Sequence, residues 1–156
     1  MRFAISLIVL LLPFFDDSTL EESFKRLLNT YTIEGEMEIV FNIEEAVKKY
    51  PLSRELQLNL YRILQEELKN ILKYAKASVV EVDIIIYNNK LIMKIVDNGI
   101  GFKIDSVKGG IGMSNMKRRA ELFSGNFEVD SSPGNGCTIL IDIPLQKTAV
   151  LELIPV

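Results

Sequence analysis

The sequence predicts an α/β fold, a two-layer sandwich with a mixed, mostly antiparallel sheet covered by helices on one face. Three observations carry that expectation. Apolar residues recur at helical spacing over 19–31, 54–76 and 114–123. The runs VVEVDIIIY (79–87) and KLIMKIVD (90–97) are rich in β-branched residues and meet at Asn88-Asn89, a hairpin turn. No internal repeat, low-complexity tract or linker divides the 156 residues, a length that suits one domain with one core.

In chain order, MRFAISLIVLLLPFF places a basic residue before an apolar run, as a signal peptide does, but no small-residue cleavage pattern follows. As a helix, residues 3–15 would reach about 20 Å, short of the roughly 30 Å hydrocarbon core. Two readings stay open: the end of a packing or dimerising helix, or a signal or truncated anchor. Ser18-Thr19-Leu20-Glu21 fits a capping box with Ser18 as N-cap. Leu20, Phe24, Leu27, Leu28 and Tyr31 then form the stripe of the first helix. MEIVFNI (37–43) alternates as a strand. Pro51-Leu52-Ser53 opens the longest helix, whose stripe is Leu56, Leu60, Ile63, Leu64, Leu68, Ile71, Leu72 and Ala75. After the hairpin comes a glycine-rich run from Asn98 to about Gly112, then a helix from near Ser114 that stops at Ser124-Gly125. FEVDS (127–131) and CTILIDIP (137–144) read as strands around Pro133-Gly134-Asn135-Gly136.

Composition narrows the chemistry. The formal charge is −3 and the densest basic spot is Lys117-Arg118-Arg119, so no nucleic-acid partner is expected. Without a histidine, Ser-His and Cys-His nucleophile pairs and His-rich zinc sites are excluded. A single cysteine, Cys137, precludes an intramolecular disulfide and leans to a reducing compartment. There is no GxxxxGK[ST] phosphate loop. Carboxylates, amides, lysines, backbone groups or a bound cation must do any chemistry.

One constellation stands out. On the long helix Glu66 and Asn70, four residues apart, share a face off the apolar stripe with Asn59 and Lys73. Taken alone, such a pair is ordinarily a solvated polar face. It is followed, however, by a hairpin ending in VDNGIGF (96–102), then by Gly110-Ile111-Gly112 before another helix. A plain turn does not need two glycines spaced by one residue. A Rossmann reading of GGIGMSNM fails for want of a third glycine and a preceding βαβ unit.

The segments YRILQEELKNILKYAKA, VDNGIGF, GGIGMSNMKRRAELFSG and SSPGNGCTILIDIPL together resemble the ATP-binding domain of sensor histidine kinases. That domain has the Bergerat fold, shared with gyrase, mismatch-repair ATPases and a heat-shock chaperone; the nitrate-sensor-like branch is the most similar. The resemblance covers residues from about 18 to 145. It implies that Asp97 accepts a hydrogen bond from the adenine amine, and that Gly99 and Gly101 pass close to the ring and hinge the loop beyond. Gly110 and Gly112 would bring phosphate to a helix N-terminus. Asn70 would offer an amide oxygen to magnesium, and Glu66 would orient or deprotonate a nucleophile or metal-bound water. Lys73 would meet phosphate, unless it is simply solvated. Tyr74 stands where this branch commonly has histidine. Cys137 stands where the family usually has threonine or serine near the adenine. Thr138 is therefore the nearest hydroxyl, though strand alternation points it to the other face.

The resemblance further implies three segments: 1–17, the remnant of a dimerisation helix or a hydrophobic leader; 18–145, the kinase-like ATPase domain; and 146–156, a tail. It implies Mg-ATP as cofactor and phosphoryl transfer to a histidine on a separate dimerisation domain. A response regulator, a homodimeric full-length protein and a cytoplasmic domain of a membrane-anchored sensor complete the expectation. An anti-sigma-factor serine kinase and a regulatory nucleotide-binding module without turnover are the alternatives; the NMxxRAE pattern favours the sensor-kinase branch.

Overall fold

Thr19, not Ser18, starts the first helix, α1 (Leu20–Tyr31). Its hydroxyl accepts the Glu22 N–H at 3.2 Å and the Glu22 carboxylate accepts the Thr19 N–H at 2.8 Å. The capping box thus lies one residue later than expected, because Glu22 rather than Glu21 occupies its third position and Leu20 can be buried in the first turn. These details come from a computed structural model that describes residues 17–32, 36–106 and 110–146. The apolar N-terminal run and the tail beyond Gln146 lie outside the described residues.

Strand β1 (Glu38–Ile43) leads into a short helix, α2 (Glu45–Lys49), that no sequence signal marked; five residues are too few to show a period. Ser53 caps α3 (Arg54–Asn70), accepting the Leu56 N–H at 3.2 Å. The expected continuous helix to 76 instead widens into a π turn, Ile71–Ala75, and stops at Lys76 with φ 51°. Strands β2 (Val79–Tyr87) and β3 (Lys90–Asp97) match the expected hairpin, with Asn88 and Asn89 at φ 48° and 59°, as a type I′ turn requires. Helix α4 (Ile111–Glu121) begins three residues before the expected Ser114, immediately after Gly110. Beyond it, Ser124 rather than Gly125 takes the left-handed conformation (φ 56°). Strands β4 (Asn126–Ser131) and β5 (Cys137–Pro144) complete the sheet.

The strand order is β1-β2-β3-β5-β4, with β1 and β2 parallel and the other pairs antiparallel. Alternate residues of the three central strands are buried: Val80, Val82 and Ile84, then Leu91, Met93 and Ile95, then Ile139, Ile141 and Ile143. A period of two sends all nine to one face. There they join Phe24 and Leu27 of α1, Leu60, Leu64 and Leu68 of α3, and Met116 and Ala120 of α4 in one core. Each such aliphatic side chain contributes about 1.5–3 kcal/mol when fully buried. The ends of β3 and β5 are thereby fixed beneath α3, which is what places the site.

Candidate nucleotide site

Helix α3 presents two adjacent carboxylates in different directions, since consecutive helical residues diverge by about 100°. Glu66 is half-buried and faces the first turn of α4, where a Cβ added to Gly112 would come within 2.5 Å of Glu66 Oε1. A side chain at 112 would require the Glu66 carboxylate to shift. Glu66 Oε2 is 3.9 Å from Lys69 Nζ. Glu67 points to the sheet and is only 4% exposed. There it meets Asp97, the last residue of β3, and Cys137, which the antiparallel register sets directly opposite Asp97. One carboxylate oxygen each of Glu67 and Asp97 and the Cys137 sulfur all lie within 4.8 Å of one another.

The VDNGIGF stretch is not a hairpin turn. The Gly99 N–H donates to Asp97 Oδ1 at 2.8 Å and fixes that carboxylate. The Asn98 side chain instead accepts the Ser78 and Val79 N–H groups at 2.9 and 3.0 Å. Ile100 donates to the Ala75 carbonyl of the π turn and accepts from Gly134. Gly101 adopts φ 62°, and a Cβ there would run into the Ser132 carbonyl. The segment is strapped between the end of α3 and the β4–β5 turn, leaving Asp97 at the floor.

Burial raises the pKa of Asp97, against which the backbone N–H groups of Gly99 and Cys137 act. Glu67 is pushed up to about 8, chiefly by burial, with the Asn70 amide opposing and the charges of Asp97 and Glu66 adding. Burial foremost, with the charges of Glu67 and Asp97 adding, pushes the Cys137 thiol up to about 12. Among the described residues no lysine or arginine is named as acting on these three. The trio could ligate a thiophilic cation only by giving up protons that burial holds firmly on sulfur and on Glu67.

The remaining expected residues fall as follows. Asn70 is half-buried at the end of α3, its Nδ2 donating to Glu67 Oε2 at 3.3 Å, and its Oδ1 makes no hydrogen bond among the described residues. Among the described residues Gly110 precedes α4 without a side-chain cap, and the first N–H groups of a helix have no partner within it. Lys73 is exposed in the π turn. Thr138 is half-buried on the face of β5 opposite Cys137, so the register gathers Cys137 with Asp97 and leaves Thr138 outside the cluster. Asn59 is not part of a solvated face: it is buried, accepts Arg119 Nη1 at 2.9 Å and so ties α4 to α3. The sequence reading missed Glu67. Its signal was there, because a glutamate three residues after Leu64 and four before Ile71 belongs to the apolar stripe.

Fold and site together define the class. Residues 55–147 match the family described as histidine kinase-, DNA gyrase B- and HSP90-like ATPases, and the chain belongs to that family. It is 35% identical over 127 residues to the sensor histidine kinase LiaS of Bacillus subtilis, covering 81% of this chain and 34% of LiaS. It is 30% identical over 132 residues to the oxygen sensor histidine kinase NreB of Staphylococcus carnosus, covering 83% of this chain and 38% of NreB. The chain thus spans about a third of the length of these relatives. Among solved structures, it shares the fold of the histidine kinase domain of the Erythrobacter litoralis EL346 blue-light-activated kinase. There the TM-score is 0.67 at 20% identity, covering 81% of this chain and 59% of that one. For the Acinetobacter baumannii histidine kinase AdeS the TM-score is 0.60 at 16% identity, covering 82% and 62%. Among the described residues no helix is long and apolar enough to cross a membrane.

Proposed function

We propose that this chain is the ATP-binding catalytic domain of a two-component sensor histidine kinase. The observation that carries the reading is the split of the adjacent carboxylates on α3. Glu67 joins Asp97 at a closed, polar floor, while Glu66 faces the uncapped N-terminus of α4. A nucleotide fits that polarity, with its base on the floor and its phosphates at the α4 N–H groups, where the helix dipole favours anions. Asp97 accepts from the adenine amine. The Oδ1 of Asn70, which takes no hydrogen bond among the described residues, suits magnesium, a hard cation that neutralises phosphate charge. Glu66 orients the incoming nucleophile at the phosphate end, and Gly112 gives it room. Phosphoryl transfer is mostly positioning and charge stabilisation, so these groups suffice on the enzyme's side.

In this reading residues 18–145 are the catalytic domain. The acceptor histidine lies on a separate dimerisation domain, and a response regulator receives the phosphoryl group. The full-length protein is a homodimer with this domain on the cytoplasmic side. Calorimetric titration of the purified domain with ATP and GTP, with and without magnesium, tests the assignment. Tight, magnesium-strengthened ATP binding with much weaker GTP binding is expected. Equal affinities for the two nucleotides would sink the adenine assignment. ATP binding without transfer to any histidine-bearing partner would leave a regulatory nucleotide-binding module instead.

A further inference from the structure

We propose that Asn135 is a site of spontaneous deamidation, and that its isoaspartyl product disables the nucleotide site. The second half rests on the ATP-binding reading above. The chain holds two Asn-Gly pairs, Asn98-Gly99 and Asn135-Gly136, and both lie in loops that border Asp97. In such a pair no side chain on the second residue shields its backbone nitrogen from the asparagine amide. That nitrogen attacks Cγ and an N–Cγ bond forms. The Cγ–Nδ2 bond breaks, and the leaving nitrogen takes up the backbone proton and departs as ammonia. Water then opens the cyclic imide at either carbonyl, leaving aspartate or isoaspartate.

Their surroundings separate the two pairs. At Asn98, Oδ1 accepts the Ser78 and Val79 N–H groups and Nδ2 donates to Ser78 Oγ at 2.9 Å. The Gly99 N–H, which would attack, is bonded to Asp97 Oδ1. Every group the reaction needs is tied, so this pair is protected. Asn135 is exposed, and only its Nδ2 is held, donating to Ser132 Oγ at 2.8 Å. Neither its Oδ1 nor the Gly136 N–H makes a hydrogen bond among the described residues. The consequence follows from what flanks the pair. Before it, the Gly134 N–H donates to the Ile100 carbonyl at 2.6 Å. After it, the Gly136 carbonyl accepts the Ser131 hydroxyl at 2.7 Å, and a Cβ on Gly136 would come within 2.0 Å of the Asp97 carbonyl. Cys137 then pairs with Asp97 in the sheet. Isoaspartate carries its Cβ in the main chain, which lengthens the segment between these two anchors by one methylene. The turn then leaves either Ile100 or the end of β3, where Asp97 receives the base. Aspartate keeps the backbone length and alters only an exposed side chain.

The test stores the purified domain in warm, mildly alkaline buffer and maps deamidation by peptide mass spectrometry. Ion exchange resolves the products, an isoaspartyl methyltransferase identifies the isoaspartyl fraction, and calorimetry gives its ATP affinity. Deamidation at Asn135 with Asn98 intact is expected. The isoaspartyl fraction should bind ATP about tenfold or more weakly than fresh protein, as loss of a buried hydrogen bond implies. Stored Asn135→Gln, whose longer side chain closes the ring far more slowly, should keep its affinity, and fresh Asn135→Asp should bind as the wild type does. An Asn135 that stays an amide, an Asn98 that reacts first, or an isoaspartyl fraction that binds ATP like fresh protein overturns the inference and leaves the ATP assignment standing. An equal loss in stored Asn135→Gln, or the same loss in fresh Asn135→Asp, overturns it too, because main-chain lengthening at Asn135 is then not the cause. Fresh wild type that binds no ATP overturns the ATP assignment and the second half of the inference together.

Discussion

Asp97 and Asn70 do their work at the scale of single atoms. The Asp97 carboxylate is oriented by the Gly99 N–H, and an asparagine amide oxygen can keep that bond while offering an adenine amine less charge. Asp97→Asn is therefore expected to leave the fold intact and to lower ATP affinity by about 1–3 kcal/mol in calorimetry. A large loss of unliganded stability would recast Asp97 as a structural residue. Asn70→Ala removes the proposed magnesium oxygen but also the amide that touches Glu67. Because Asn70 is half-buried and off the apolar stripe, its melting temperature should fall by no more than a few degrees, while magnesium no longer strengthens ATP binding. An Asn70→Ala protein whose ATP affinity still rises with magnesium would remove Asn70 from the metal site.

Between elements, short side-chain ties set the spacing of the site walls. Arg119 of α4 reaches Asn59 of α3, and Glu66 of α3 abuts Gly112 of α4, so the two helices are registered at both ends of their contact. Gly112→Ala should push Glu66 aside and weaken phosphate binding. ATP affinity is expected to drop about tenfold or more, with the affinity for adenosine unchanged; parallel losses for both ligands would argue that the whole site had moved. In the sheet, Asp142 of β5 accepts from Lys90 of β3 at 2.8 Å and from Asn126 of β4 at 3.1 Å, linking three strands. Lys90 foremost holds the Asp142 pKa below its ordinary value. A carboxylate so depressed gives stability that is present above the unfolded value near 3.8 and is lost as pH falls through the folded one. Asp142→Asn should thus cost up to about 1 kcal/mol at pH 7, in keeping with a partly exposed pair. The difference from wild type should close in acid denaturation series as pH falls below the ordinary aspartate value and through the lowered folded one. A gap independent of pH would assign the loss to packing.

For the whole molecule, the sequence contains no histidine, so in the proposed reading the chain holds a donor site without its acceptor. Incubation of the purified domain with labelled ATP should give no stable label on this chain. Supplying a histidine-bearing dimerisation domain from a related kinase should give acid-labile label on that partner. Glu66→Gln should then slow transfer by more than it weakens ATP binding, because an orienting or proton-accepting group acts in the transition state. Acid-labile label on the isolated chain, or unchanged transfer by Glu66→Gln, would contradict this division of labour.

Period and turn chemistry alone determined most of the architecture. The β2–β3 hairpin and β5 fall where alternation and Asn88-Asn89 put them, because local dihedral preferences and the two-fold pleat suffice there. The order of Glu66, Asn70, Asp97 and the paired glycines was likewise legible, since spacing along a helix and strand ends survive in one dimension. Element ends were not: the π turn at Ile71–Ala75, the early start of α4 and the shift of the cap to Thr19 answer to packing against the sheet and to the hydrogen bonds of the loop from Asn98 to Gly101. Above all, only the tertiary structure decided what Glu67 is. Its place on the stripe was written in the sequence, but its closeness to Asp97 and Cys137 depends on the β3–β5 register and on α3 lying across it. A pKa pushed up to about 8 is a property of that enclosure, which no local pattern encodes.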